Sequence, residues 1–159
     1  MTDKWNSNSL GKSLEKIFPD AVDNTNDNDV WIKSDKILLV CEGLRDLPEF
    51  KFDLLNSLTA VDYIDYFEVI YHITSLPKNA SAVIKSKVGF GRNKPIISSV
   101  VNIWRGADYQ EREVWDLLGI EFSSHPNMKR LFLWEGYPGH PLRKDYITYD
   151  QSIVTGDKK

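Results

Sequence analysis

From Tyr66 to Ser75 the chain alternates: Phe67, Val69, Tyr71 and Ile73 are apolar, while Glu68, His72 and Thr74 between them are polar. A period of two puts the first set on one face of an extended strand and the second on the other. Such a strand needs a sheet with one covered face and one wet face, the habit of antiparallel pairing. A turn at Pro77 to Ala80 leads into a returning strand, Ser81 to Val88, with Ala82, Ile84 and Val88 on one side and Lys85 and Lys87 on the other. Thr59 to Tyr63 supplies a further strand ahead of the pair.

Around this sheet the spacing predicts helices. Leu10, Leu14, Ile17 and Phe18 fall on one face of a short helix that Pro19 ends. Asp20 to Asp29 is acidic and turn-rich, a solvated loop. Val30 to Lys33 and Lys36 to Cys41 read as two short strands of a hairpin around Ser34-Asp35. Leu47, Phe50, Leu54, Leu55 and Leu58 repeat at helical spacing, with Pro48 in the first turn of the helix they predict. The expected class is α+β: a small mixed or antiparallel sheet with helices packed on one face, followed by an extended irregular C-terminal segment.

Charge and cysteine content narrow the function. Of 159 residues, 20 are basic and 23 acidic. The excess lies in residues 1–29, where six acids face three lysines, so residues 30–159 balance. A nucleic-acid binder needs a basic excess to neutralise phosphates, which disfavours that class even with five tryptophans and seven tyrosines. The single cysteine, Cys41, makes no internal disulfide and reads as a buried small hydrophobe. The longest apolar run, Ile37 to Cys41, is far short of the ~20 residues of a bilayer helix. The start shows no export leader, so a cytoplasmic location is expected.

The information concentrates after Asp108. In Asp108 to Gly119, Asp108 is placed to cap a helix with Glu111 three residues on, and Gly119 supplies the stop. Val114, Leu117 and Leu118 form the apolar stripe, with Trp115 beside it. Glu111, Arg112, Glu113 and Asp116 crowd six positions. Glu111 and Glu113 lie about 200° apart around the helix and do not converge on one small ligand. The bland local reading is a solvated helix start whose acids complement the macrodipole. Arg112 and Asp116, four apart, add about 0.2–0.5 kcal/mol if exposed.

Glu121 to Tyr146 is rich in proline and glycine, irregular, and long enough to be functional. His125 and His140 each precede a proline, Pro126 and Pro141, without a zinc-ligand spacing. Ser123 and Ser124 lack a nucleophile elbow. Gly89-Phe90-Gly91 lacks the rest of a phosphate loop. Arg143-Lys144-Asp145-Tyr146, after Leu142, has an interface composition. An independent hydrolase or metal-dependent enzyme using His125 and His140 is the alternative to a binding role.

Three blocks in fixed order, Glu111 to Ile120, His125-Pro-x-x-x-Arg130-Leu, and Gly139 to Tyr146, resemble the signature of one family of NADH:quinone oxidoreductase subunits. This is the C-type or thirty-kilodalton-type subunit of respiratory complex I. Ser98 to Arg105 is similar to the short helix the family places ahead of the signature. Arg105-Gly106, Tyr109 and the stretch Phe132 to Tyr137 depart from the family pattern.

The resemblance implies a non-catalytic peripheral-arm subunit of a proton-translocating complex, lying on the cytoplasmic side of the membrane and held there by its partners. Those are the large subunit that helps form the quinone pocket and the small iron-sulfur subunit; flavin, iron-sulfur clusters and quinone are expected in the partners and no cofactor in this chain. Under it, 1–106 is an α+β domain with an acidic lead-in, 107–146 the signature helix and docking segment, and 147–159 a tail, one structural domain overall. Glu111, Arg112, Glu113, Asp116, Arg130, Arg143, Lys144 and Asp145 are the charges expected to pair within the domain or across the contact. His125, Pro126, His140, Pro141, Leu142 and Tyr146 complete the signature.

Overall fold

The computed structural model describes residues 2–147. The chain runs β1 (Asp3–Lys4), α1 (Ser7–Ile17), β2 (Val22–Thr25), β3 (Val30–Ile32), α2 (Ile37–Asp46), β4 (Leu54–Asp62), β5 (Phe67–Ser75), β6 (Ala80–Val88), β7 (Ile96–Ser98), α3 (Ala107–Leu118) and β8 (Glu121–Ser123). Strands β2 to β6 form a mixed sheet in the order β2-β3-β6-β5-β4, with β1 also parallel to β6, and β7 and β8 make a separate parallel pair. This is an α+β fold.

The alternation at the centre has its expected effect. Phe67, Val69, Tyr71 and Ile73 of β5 join Ala82, Ile84 and Val88 of β6 in one core with Leu10 and Leu14 of α1, Val40 and Leu44 of α2, and Val114 and Leu118 of α3. On the opposite face Lys85 pairs with Glu68 at 2.9 Å and Asp29 at 3.0 Å and lies over the Trp31 ring. Cys41 is buried in α2, and burial pushes its thiol pKa up.

Four expectations are corrected. The hairpin over 30–41 keeps only its first strand. Ile37, Val40, Cys41 and Leu44 share the buried face of α2 at i, i+3, i+4 and i+7, a periodicity that a window ending at Cys41 hides. The helix expected over 47–58 is absent, and the part of that stretch beyond Asp53 belongs to β4. A bulge between Leu55 and Ser57 places Leu55 and Leu58, three apart, on the same buried face, so a bulged strand imitates helical spacing. The loop expected over 20–29 contains β2, whose edge position lets it remain mostly polar. Ser98 to Arg105 is a turn, not a helix: the N–H groups of Ile103 and Trp104 both donate to the Val100 carbonyl at 2.9 Å.

Candidate functional site

The C-terminal residues are organised by α3, and the first surprise is at its start. Gly106 is the N-cap, and no side chain caps the helix. Glu111 turns inward and is fully buried. Its carboxylate accepts hydrogen bonds from the Ser99 hydroxyl at 2.6 Å and the Val100 N–H at 2.7 Å, tying the turn after β7 to the helix. Burial pushes its pKa up to about 7; the two donors oppose the rise, and the nearby Asp108 charge adds to it. Glu113, two residues on, faces solvent. The solvated helix start is thus replaced by a helix whose acids divide between core and surface.

His125 packs against this end with its side chain fully buried. Its Nδ1 accepts the Asn127 N–H at 3.0 Å, which assigns the ring proton to Nε2, 3.2 Å from the Asp108 carbonyl. Nε2 also lies 3.9 Å from the Glu111 carboxylate.

In the last turn Asp116 is fully buried. One carboxylate oxygen accepts Arg130 Nη1 at 2.8 Å, and the other accepts three successive backbone N–H groups, those of Leu131, Phe132 and Leu133, at 2.8–3.0 Å. Burial alone raises the pKa, but Arg130 and the three N–H donors outweigh it and hold Asp116 at about 2. Arg130 also donates to the carbonyls of Asp116, Tyr137 and Gly139 and lies over the Trp115 ring. Arg112 does not pair with Asp116; its guanidinium donates to the carbonyls of Lys129 and Arg130 at 3.2 Å.

His140 donates from Nδ1 to the Asp116 carbonyl at 2.9 Å. Gly119, at φ +73°, closes the helix as expected, and a Cβ there would meet the His140 ring at 2.6 Å. The anchors of His125 and His140, Asp108 and Asp116, stand about 12 Å apart along the helix axis. The two histidines therefore attach to separate places and do not share one small ligand. Among the described residues no cluster of three or more His, Cys, Asp or Glu side chains is placed to hold a metal ion.

The far end of the segment is fixed to the sheet by residues the sequence reading missed. Arg92 grips both oxygens of Asp62 at 2.8 Å and both oxygens of Asp145 at 2.7 Å. Asp62 is held far below the usual carboxylate range by Arg92, against the effect of its burial, and Asp145 by Arg143 and then Arg92. Arg143 donates to Asp145 at 3.0 and 3.1 Å, and the Lys144 N–H donates to Asp62 at 2.9 Å. Both guanidiniums lie over the Phe67 ring, at 5.0 and 5.1 Å. The Leu142 N–H donates to the Leu117 carbonyl at 3.0 Å, and the Tyr146 hydroxyl to that of Tyr137 at 3.0 Å. Pro126 is exposed and Pro141 half-buried; each keeps the histidine before it out of helical backbone. No local pattern marks Arg92 or Asp62, since their partners lie tens of residues away.

Between these anchors the segment turns apolar side chains outward. Phe132 and Trp134 are each 63% exposed, Leu142 59% and Ile147 80%. The class is thereby defined: an α+β domain bearing a C-terminal segment that is pinned to its own helix and sheet and exposes large apolar side chains on its outer side. Residues 30–152 match the family described as Respiratory-chain NADH dehydrogenase, 30 Kd subunit, and the chain belongs to that family.

The C-type subunit of NADH-quinone oxidoreductase from Roseiflexus sp. (strain RS-1) is 37% identical over 139 residues, covering 83% of this chain and 79% of that protein. The protein of the same name from Moorella thermoacetica is 35% identical over 139 residues, covering 85% and 91%. The second C-type subunit of Rhizobium etli is 36% identical over 118 residues, and the match spans 62% of its length. Among solved structures, a chain of the membrane-bound sulfane sulfur reductase, an archaeal respiratory membrane complex, superimposes with a TM-score of 0.70 at 22% identity, covering 94% of this chain and 90% of that one. A trypsin-resistant fragment of Nqo5 gives 0.56 at 24% identity, covering 76% and 96%. Both share the fold. No helix among the described residues is long and apolar enough to cross a membrane.

Proposed function

We propose that this chain is a non-catalytic peripheral-arm subunit of a proton-translocating NADH:quinone oxidoreductase, on the cytoplasmic side of the membrane. It packs against the large subunit that helps form the quinone pocket and the small iron-sulfur subunit, which between them and their neighbours hold the flavin, clusters and quinone. The observation that carries this reading is the division of labour in residues 125–147. Arg130, Arg143 and Asp145 bond within this chain itself, while Phe132, Trp134, Leu142 and Ile147 face outward. Internal ion pairs hold the segment in one shape before it meets a partner, which lowers the ordering cost of association. Outward aromatic and aliphatic side chains are the anchors protein interfaces use.

The test is affinity purification of the tagged full chain from detergent-solubilised membranes, with companions identified by mass spectrometry. Iron-sulfur and membrane-embedded subunits are expected in stoichiometric yield. Their absence overturns the reading. Trp134→Ser, at a residue 63% exposed, is expected to lower that yield while leaving the unfolding midpoint of the isolated chain in place.

A further inference from the structure

We infer that the contact face continues past the C-terminal segment onto the turn Asp62 to Tyr66 and the loop Gly89 to Arg92, and that the protein covering Leu142 and Ile147 covers this region too. The inference rests on the docking reading above and extends it to residues outside the signature.

Continuity comes from the Arg92 clamp. Arg92 bonds Asp62, Asp145 and the Ile64 carbonyl, the Lys144 N–H bonds Asp62, and the Gly91 N–H bonds the Asp65 carbonyl at 2.8 Å. Three stretches from distant parts of the chain are thus held as one body. Around the clamp Tyr63 at 46%, Ile64 at 57% and Phe90 at 64% are exposed, with the exposed Asp65 and Lys144 among them, next to the stretch that carries Leu142 and Ile147. Tyr63 stacks on Tyr66 at 5.3 Å and Tyr66 meets Phe90 at 6.0 Å, which fixes these rings as a plate.

Charge selects the kind of partner. Two arginines, Arg92 and Arg143, face two aspartates, Asp62 and Asp145, and all four are bonded within the clamp. The clamp is neutral, and the exposed Asp65 and Lys144 beside it carry opposite signs, so the surface suited to the region is a largely apolar protein cleft, not an acidic or basic strip.

Ile64 adds an independent argument. Its φ is +68°, a left-handed conformation that β-branched residues rarely adopt and that glycine or asparagine would take with less strain. Asp62 holds it there by accepting the Ile64 N–H at 2.8 Å, while Arg92 holds the carbonyl. A core contact does not account for an isoleucine here, because the side chain is more than half exposed. An apolar contact from outside does account for it.

Ile64→Asn separates binding from folding, since it relieves the backbone and removes the apolar side chain together. The isolated full chain is expected to keep or raise its Tm, while recovery of partner subunits from solubilised membranes falls by about tenfold, the effect of losing one well-packed anchor. Phe90→Ser is expected to act the same way, and Leu76→Ser, an exposed leucine at the other end of β5, to change nothing. Wild-type recovery with both Ile64→Asn and Phe90→Ser, when Leu142→Ser lowers it, overturns the extension and leaves the docking reading standing. Wild-type recovery with Leu142→Ser as well removes both. A dimer of the isolated chain that Ile64→Asn dissociates, with recovery unchanged, assigns the face to a second copy and also overturns the inference.

Discussion

In the first half of α3, Glu111 is buried among neutral donors; five residues on, Asp116 is buried against a guanidinium and three backbone N–H groups. Both side chains are fully inaccessible. Yet Glu111 is pushed up to about 7 and Asp116 held at about 2. Glu111 lies deeper among protein atoms, so burial penalises it more, and the partners widen the difference: a hydroxyl and one N–H are too few to offset desolvation, whereas a full positive charge with three N–H groups is enough. The contrast also separates tasks. Glu111 fastens a turn of the same domain, and Asp116 fastens the C-terminal segment to the helix.

Asp116→Ala is the strongest way to break this comparison. It leaves the Arg130 charge and three N–H groups without their acceptor, and a loss of about 3–5 kcal/mol is expected in urea unfolding. Loss of hydrogen-exchange protection at Leu131, Phe132 and Leu133 should accompany it. A change below about 1 kcal/mol, the range of an exposed pair, would remove Asp116 as the organiser of the segment.

The pH dependence has opposite signs at the two sites. The raised pKa of Glu111 contributes stability that is fully present below about 4.5 and lost as pH rises through about 7, on the order of 3 kcal/mol. The lowered pKa of Asp116 contributes stability present above 3.8 and lost as pH falls through about 2. Glu111→Gln keeps the shape without the charge. Relative to wild type it is expected to gain stability between pH 5 and pH 8, measured by urea midpoints; a flat difference would place a charged, well-solvated Glu111 in the native protein.

Gly119→Ala tests the end of the helix at smaller scale. The left-handed backbone alone costs about 1–2 kcal/mol, and the added Cβ collides with His140, so a lower Tm and a displaced His140 ring signal in NMR spectra are expected. Arg143→Ala is the mildest case. Asp145 is exposed and keeps Arg92, so the fold should lose no more than about 1 kcal/mol while assembly of the complex falls. Normal assembly with lost turnover would give Arg143 a role other than docking.

Much of this was legible locally, and the misses have local causes. The period of two in β5 and β6, the glycine stop of α3 and the opposite facing of Glu111 and Glu113 all follow from geometry within a dozen residues. The β4 bulge gives a strand helical spacing, and Lys36 to Cys41 reads as a strand because the helical repeat of α2 is completed only at Leu44. At the site, the crowding of acids and arginines pointed to a helix in which Glu111 and Asp116 are both buried and hydrogen-bonded. It did not reveal that Arg112 holds carbonyls instead of Asp116, or that Asp108 leaves the helix start uncapped.

The sequence by itself determined the family, through three motif blocks in order, and the alternation at the centre of the sheet, because both reside in the linear spacing of side chains. Only the tertiary structure decided which charge meets which. Asp116 finds Arg130 fourteen residues on, and Arg92 joins Asp62 to Asp145 across most of the chain. Such pairings depend on where loops close and which groups lose water, and neither is written in the spacing of neighbours. By closing those pairs internally, the fold leaves Phe132, Trp134, Leu142 and Ile147 exposed within a charged signature.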